Sequence, residues 1–252
     1  MKYFFLLPVF FLLHANAQVV NIESLRFLND SDGWEGTIKF NLAAEQNVNT
    51  IYNFGNAIHA QYKKGRSRCI FINDFSLSNT NGHDFENSGF QHLRYNYKLK
   101  NHERVTWEAF IQSQYNKPMK IDFRGLIGTG PRYRMIKTDK VHMYIAALYM
   151  FEHEEDEGEM LEKIYNDHRL DAYLSFTWAP EKNAEMINTF YYQPAFADFN
   201  DYRVSESFSF AFAINKHFSF ETVFGLTYDT KQPPGIPNLY WSFAQGLNYN
   251  FK

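Results

Sequence analysis

Late in the chain, Asp201, Arg203, Asp229 and Tyr240 stand where two successive hairpins would bring them together. Folding the chain back about Lys216 sets Arg203 opposite Asp229, and the next hairpin places Tyr240 beside Asp229. A guanidinium facing a carboxylate forms a forked, charge-assisted pair. The neighbouring Pro233-Pro234-Gly235-Ile236-Pro237 is a loop whose backbone the prolines pre-set. At the mouth of a cavity such a cluster binds or gates a ligand, or it pins loop to strand. A partly exposed pair contributes about 0 to 1 kcal/mol, and the pinning role is the expectation.

Further charges fall on the polar side of alternating segments: Arg94, Glu108, Arg124, Arg132 and Arg134, with Glu152, Arg169 and Asp171 among others. Their signs nearly balance. A strongly selective pore would show an excess of one sign at its constriction, whereas balanced charges on neighbouring strands make cross-strand networks. Catalysis is harder to place. His59, His92 and His142 sit within strand-like runs, with His59 and His92 on the inward parity, and Ser88 belongs to no nucleophile pattern. The tract Glu154-Glu155-Asp156-Glu157-Gly158-Glu159 invites a Ca²⁺ reading but lacks the ligand spacing of a dedicated site. A solvated loop explains it better. No catalytic residue, cofactor or metal site is expected.

The elements that must carry these residues are strands. Leu93, Tyr95, Tyr97 and Leu99 alternate with His92, Arg94, Asn96 and Lys98, and Leu170, Ala172, Leu174, Phe176 and Trp178 with Arg169, Asp171, Tyr173, Ser175 and Thr177. The same period of two recurs from Trp34 to Phe251. Only 184–196 carries aromatics on both parities, so its faces stay open. Short polar turns (63–66, 100–104, 137–140, 181–183, 215–217) alternate with links read as longer (79–88, 152–166, 231–238). About twelve strands result, each of a length to cross a membrane at a tilt.

Composition agrees. Aromatics make up 19% of the chain, with 26 Phe and 17 Tyr, yet mean hydropathy is −0.46. A barrel reconciles the two, since alternate residues face lipid and the others face a polar lumen. The expectation is an all-β, antiparallel transmembrane β-barrel over 33–252. Lys2, the apolar run 3–13 and Ala15-Asn16-Ala17 read as a signal peptide over residues 1–17. Residues 18–32 would form a periplasmic arm, and both termini would lie in the periplasm. Cys69 is a lone cysteine with no internal disulfide partner. A net charge of −3 gives no sign of nucleic-acid binding. A secreted β-sandwich would also alternate, but its outward rows should be rich in Lys and Glu rather than Ser, Gly, Ala, Tyr and Gln.

Several segments resemble a known family: Val19-Val20-Asn21-Ile22-Glu23, 90–97 (FQHLRYNY), 198–203 (DFNDYR), 228–235 (YDTKQPPG) and 246–251 (GLNYNF). They look like the salt-stress-induced outer-membrane proteins grouped as domain-of-unknown-function family 481. The resemblance implies a bacterial outer-membrane barrel with a link to osmotic stress, and it offers no catalytic residues. The expected partners are outer-membrane lipids and the barrel-assembly machinery. The function expected is a narrow or gated pore or a structural barrel. A lipid hydrolase and a scaffold for an envelope partner are the alternatives.

Overall fold

A computed structural model describes Ile22 and residues 32–46, 50–157, 163–181, 183–215 and 218–249. The signal-peptide reading lies outside these residues, as does the 18–32 arm apart from Ile22 and Asp32.

Twelve strands follow one another: β1 (Gly33–Gln46), β2 (Thr50–Lys64), β3 (Ser67–Thr80), β4 (His83–Lys98), β5 (Val105–Asn116), β6 (Ile121–Lys137), β7 (Val141–Asp156), β8 (Lys163–Glu181), β9 (Ala184–Pro194), β10 (Tyr202–Ala213), β11 (Phe218–Asp229) and β12 (Leu239–Tyr249). They form one sheet in which each pairs antiparallel with its neighbours in sequence. One turn of 3-10 helix, Lys117–Met119, joins β5 to β6. β1 starts and β12 finishes at the same end of the sheet, the terminal end; the opposite one is the far end.

The faces follow the alternation, and they are inverted relative to a protein folded in water. Arg94, Arg124, Arg169 and Glu108 are buried, whereas Trp107, Ile111, Ile127 and Trp241 are exposed at 46 to 67%. Hydrocarbon outside and a polar interior select that arrangement. The undecided segment, β9, resolves the same way: Ile187, Thr189, Tyr191 and Gln193 are buried inward, and Phe190 is exposed.

Contacts between strands far apart in the sheet show that it curls around an interior. Tyr173 of β8 donates to Glu108 of β5 at 2.6 Å, and Lys120, after β5, donates to the carbonyl of Pro234 beyond β11 at 2.7 Å. Among the described residues no ladder joins β1 to β12, so these two are the sheet's edges.

Two connections differ from expectation. Residues 79–88 are not a long link. Asn81 and Gly82 both have positive φ, 52° and 85°, the requirement of a two-residue type I′ hairpin turn. The turn is tied down by Asn81, whose side-chain oxygen accepts from the Thr50 N–H at 2.8 Å. Residues 152–166 are mostly ladder, since β7 pairs with β8 up to Asp156↔Lys163. Of the carboxylates placed there in a solvated loop, Glu154, Glu155 and Asp156 therefore belong to a strand. The contrast between short and long connections shrinks accordingly, although 195–201 and 230–238 remain substantial far-end links.

Candidate functional site

Continuing β7 as a strand carries Glu152, Glu154 and Asp156 inward on one parity, and all three are buried. Three arginines converge on them. Arg124 from β6 contacts Glu152 through its Nε and lies 3.1 Å from Glu154. Arg169 from β8 is 2.5 Å from Glu152 and 3.0 Å from Asp201. Arg203 from β10 contacts Glu152 and Asp229 and donates to both Glu154 oxygens at 3.0 and 3.1 Å. To reach β7 it passes over β8 and β9. The result is a single lattice in which each arginine bridges carboxylates and Glu152 touches all three arginines.

A second layer lies toward the terminal end. Glu108 accepts from Tyr173 at 2.6 Å and from Arg132 at 3.3 Å, and Arg94 stands 3.7 Å away. Arg132 stacks over the Tyr144 ring at 3.8 Å. Beside this layer Phe110, Leu126, Leu148, Met150, Tyr173 and Tyr191 form an apolar cluster across β5 to β9. Glycine lets it close: a Cβ on Gly128 would sit 2.4 Å from the Phe110 ring. The void left between the layers is about 30 Å³, room for water but not for an organic solute. Ile22 borders that void and packs with Ile70, Ile72 and Phe90, inward residues of β3 and β4.

The opposite wall is different. Inward positions on β10, β11, β12 and β2 include Ser207, Ser209, Ala211, Ser219, Gly225, Ser242, Ala244, Gly246, Gly55 and Ala57, and these are half-buried or exposed rather than buried. One side of the lumen is thus filled by large charged and aromatic groups, and the other is lined mainly by small residues, with Glu221, Val223 and His59 among them.

The residues singled out in the sequence fall as follows. Arg203 pairs directly with Asp229 in the ladder, as hairpin counting places it, but the pair is buried, with side chains 3% and 0% exposed. It is a lattice member, not a partly exposed rim pair. Asp201 binds Arg169 and, at 2.8 Å, Lys231, whose side chain is 57% exposed; the Asp201 carboxylate raises the Lys231 pKa. Tyr240 stands opposite Thr227, a step below Asp229, because Asp229 already donates its N–H to the Asn238 carbonyl at 2.8 Å. Arg94, Glu108, Arg124 and Arg132 are buried inward, while Arg134, just before a bulge in β6, is half-buried near the terminal end. The near balance of charge is in fact layered. The far lattice gathers Glu152, Glu154, Asp156, Asp201 and Asp229 around three arginines, and the lower layer sets Arg94 and Arg132 around Glu108. Sequence reading missed the centrality of Glu152 and Glu154; their shared parity with Leu148 and Met150 was the available signal.

Among the histidines, His59 bonds Asp74 at 2.8 Å and His92 bonds Gln112 at 3.0 Å, both inside. On the outer face His153 bonds Asn166 and Glu155 at 2.8 and 3.1 Å, and His168 bonds the Tyr149 hydroxyl at 2.5 Å. Among the described residues neither outer histidine meets a serine or threonine hydroxyl, the partner that a hydrolytic base requires.

The sequence matches none of the curated proteins. Among solved structures the fold is similar to that of the NanC porin, with a TM-score of 0.50 at 8% identity, over 84% of this chain and 100% of that one. A fainter likeness, TM-score 0.36 at 10% identity over 86% and 96%, is to the β domain of the Bordetella autotransporter BrkA. At such identity the porin likeness speaks for the fold alone: twelve antiparallel strands arranged as in an outer-membrane barrel. The family described as "Protein of unknown function, DUF481" matches residues 31–251. That span takes in every strand from β1 to β12, and the chain belongs to this family.

Proposed function

We propose that the protein is an outer-membrane pore for small hydrophilic solutes, with a path that follows the small-residue wall past a fixed arginine–carboxylate lattice. The observation that carries this reading is the two-sided lumen. A purely structural barrel gains by filling its interior on all sides, yet Ser207, Ser209, Ser242 and Ala244 leave one side thinly lined. The inverted faces and the porin-like fold support placement in the outer membrane, reached by export on the signal peptide of residues 1–17 and insertion by the barrel-assembly machinery. The resemblance to salt-stress-induced proteins supports osmotic adjustment as its setting.

The lattice gives such a pore its shape. Each arginine is held by at least two carboxylates, so the charged side cannot swing into the path without leaving ions unpaired in a low-dielectric interior. Solutes therefore meet a rigid charged edge and a compliant polar one. The small void between the layers and the seat of Ile22 favour a second reading, a plugged structural barrel. Planar-bilayer recording of the refolded protein separates the two. Small, reproducible conductance steps are expected; a folded, inserted protein that passes no current would leave the plugged barrel.

A further inference from the structure

The outer face carries a feature that neither lumen reading uses. Near the middle of four consecutive strands, Asn56 (β2), Asn73 (β3), Gln91 (β4) and Ser113 (β5) point outward and bond to one another. Ser113 donates to the Gln91 side-chain oxygen at 2.9 Å. Gln91 donates to Asn73 at 3.3 Å, and Asn73 donates to Asn56 at 2.7 Å. Asn73, Gln91 and Ser113 are directly opposite one another in the ladders. The row lies within an apolar surround: Phe71, Leu93, Tyr95 and Ile111 are exposed at 40 to 57% on the same face. In a bilayer this is a stripe of amides facing hydrocarbon, which offers no partner to an N–H or a carbonyl.

All three bonds run the same way, so the row has a direction. Ser113 has spent its hydrogen and ends the row as an acceptor. Asn56 ends it as a donor, since among the described residues neither of its amide hydrogens has a partner. Gln91 and Asn73 each keep one hydrogen in the same state. A second copy rotated by a twofold axis along the membrane normal presents the same row reversed. Asn56 of one copy then faces Ser113 of the other at both ends, and the two rows of dipoles run antiparallel. A lipid tail cannot supply this complementarity, and a self-complementary patch is what an isologous interface requires.

We propose that this row is the contact by which two copies of the chain associate side by side in the membrane. The inference rests on the outer-membrane placement and is independent of whether the lumen conducts. With no apolar driving force between barrels immersed in lipid, the polar contacts and close packing are what would hold the pair together.

Cys69 provides a native probe. It faces outward on β3, with the Asn73 parity, and stands opposite Tyr95 of β4, close to the axis the proposal implies. Full-length protein reconstituted in vesicles of dioleoyl phosphatidylcholine is treated with a short bis-maleimide, and covalent dimer is scored alongside the folded fraction from the unheated gel shift. Wild type should give dimer, diluting the protein in lipid should lower the yield gradually, and Asn73→Leu or Gln91→Leu should each cut the yield about tenfold. Asn56→Ser, a milder change that keeps one donor, should cut it less. Any variant lacking the folded band is set aside, and Asn56→Ser then carries the comparison. Monomer throughout in folded, inserted wild type overturns the interface, as does dimer that survives all three substitutions. Protein that fails to insert at all would instead overturn the membrane placement.

Discussion

Two halves of one lumen are built on opposite principles. From β4 to β9 many inward side chains are large, charged or aromatic, and buried: Arg94, Glu108, Phe110, Arg124, Glu152, Arg169 and Tyr173 lie within 7% exposure. From β10 through β12 and on β2, below the far-end lattice, Ser, Ala and Gly are the commonest inward residues, interspersed with Glu221, Val223, Tyr240 and His59, and most remain accessible. The backbone ladders are of one kind throughout, so the difference lies in what each strand aims inward. Long side chains reach across two strands and interlock, whereas short ones reach nothing beyond their own ladder. One wall therefore holds its shape through a dense set of side-chain bonds, and the other, apart from its far-end residues and the His59–Asp74 pair, mainly through backbone bonds.

Removing the lattice's hub should expose that difference most strongly. Glu152→Ala leaves Arg124, Arg169 and Arg203 facing one another in the interior with fewer counter-charges, and loss of one partner from a buried pair costs about 3 to 5 kcal/mol. The variant should lose resistance to SDS at a lower temperature than wild type, read from the band shift between unheated and boiled samples. Arg203→Ala should fall in the same range, because it removes one counter-charge from Glu152, Glu154 and Asp229 at once. If either behaves like wild type, the charged wall is not what holds this half.

A steric change on the same side should rank next. A Cβ on Gly130 would lie 2.6 Å from the Ala147 carbonyl and 2.7 Å from the Leu148 Cα, and backbone cannot step aside as a side chain does. Gly130→Ala should cost about 1 to 3 kcal/mol, measured by urea unfolding in detergent. On the thin wall Ser207→Ala should stay within about 0.5 kcal/mol by the same assay. Lys231→Ala breaks a largely exposed contact to Asp201 at the far rim and should cost about 0 to 1 kcal/mol, with salt reducing the effect further. A Ser207→Ala cost as large as that of Gly130→Ala would erase the contrast between the walls.

Period-two patterning made the strands and most faces legible, because a one-residue slip would turn every aromatic inward. The opposition of Arg203 and Asp229 was legible too, since counting back along a hairpin needs no tertiary knowledge. Tyr240 slipped by one step because the count across 230–238 depends on where β12 begins. Asn81-Gly82 carried a strong hairpin signal that the polar residues around it obscured. The lattice was not legible. Glu152 and Glu154 sit in an acidic tract resembling a solvated loop, and what balances their charge inside is three arginines from other strands. The seat of Ile22 against Ile70 and Ile72 is likewise a contact that no local pattern encodes.

The central claim, that the path runs along the thin wall, is tested most directly by blocking current one wall at a time. In a Cys69→Ser background, cysteine is placed at Ser209 on β10 or at Ser175 on β8, which is buried at 2%. Single-channel current is then recorded as a charged methanethiosulfonate reagent is added. Block at Ser209→Cys with current unchanged at Ser175→Cys is the expected result. Block at Ser175→Cys while Ser209→Cys is silent would place the path through the charged side and contradict the account.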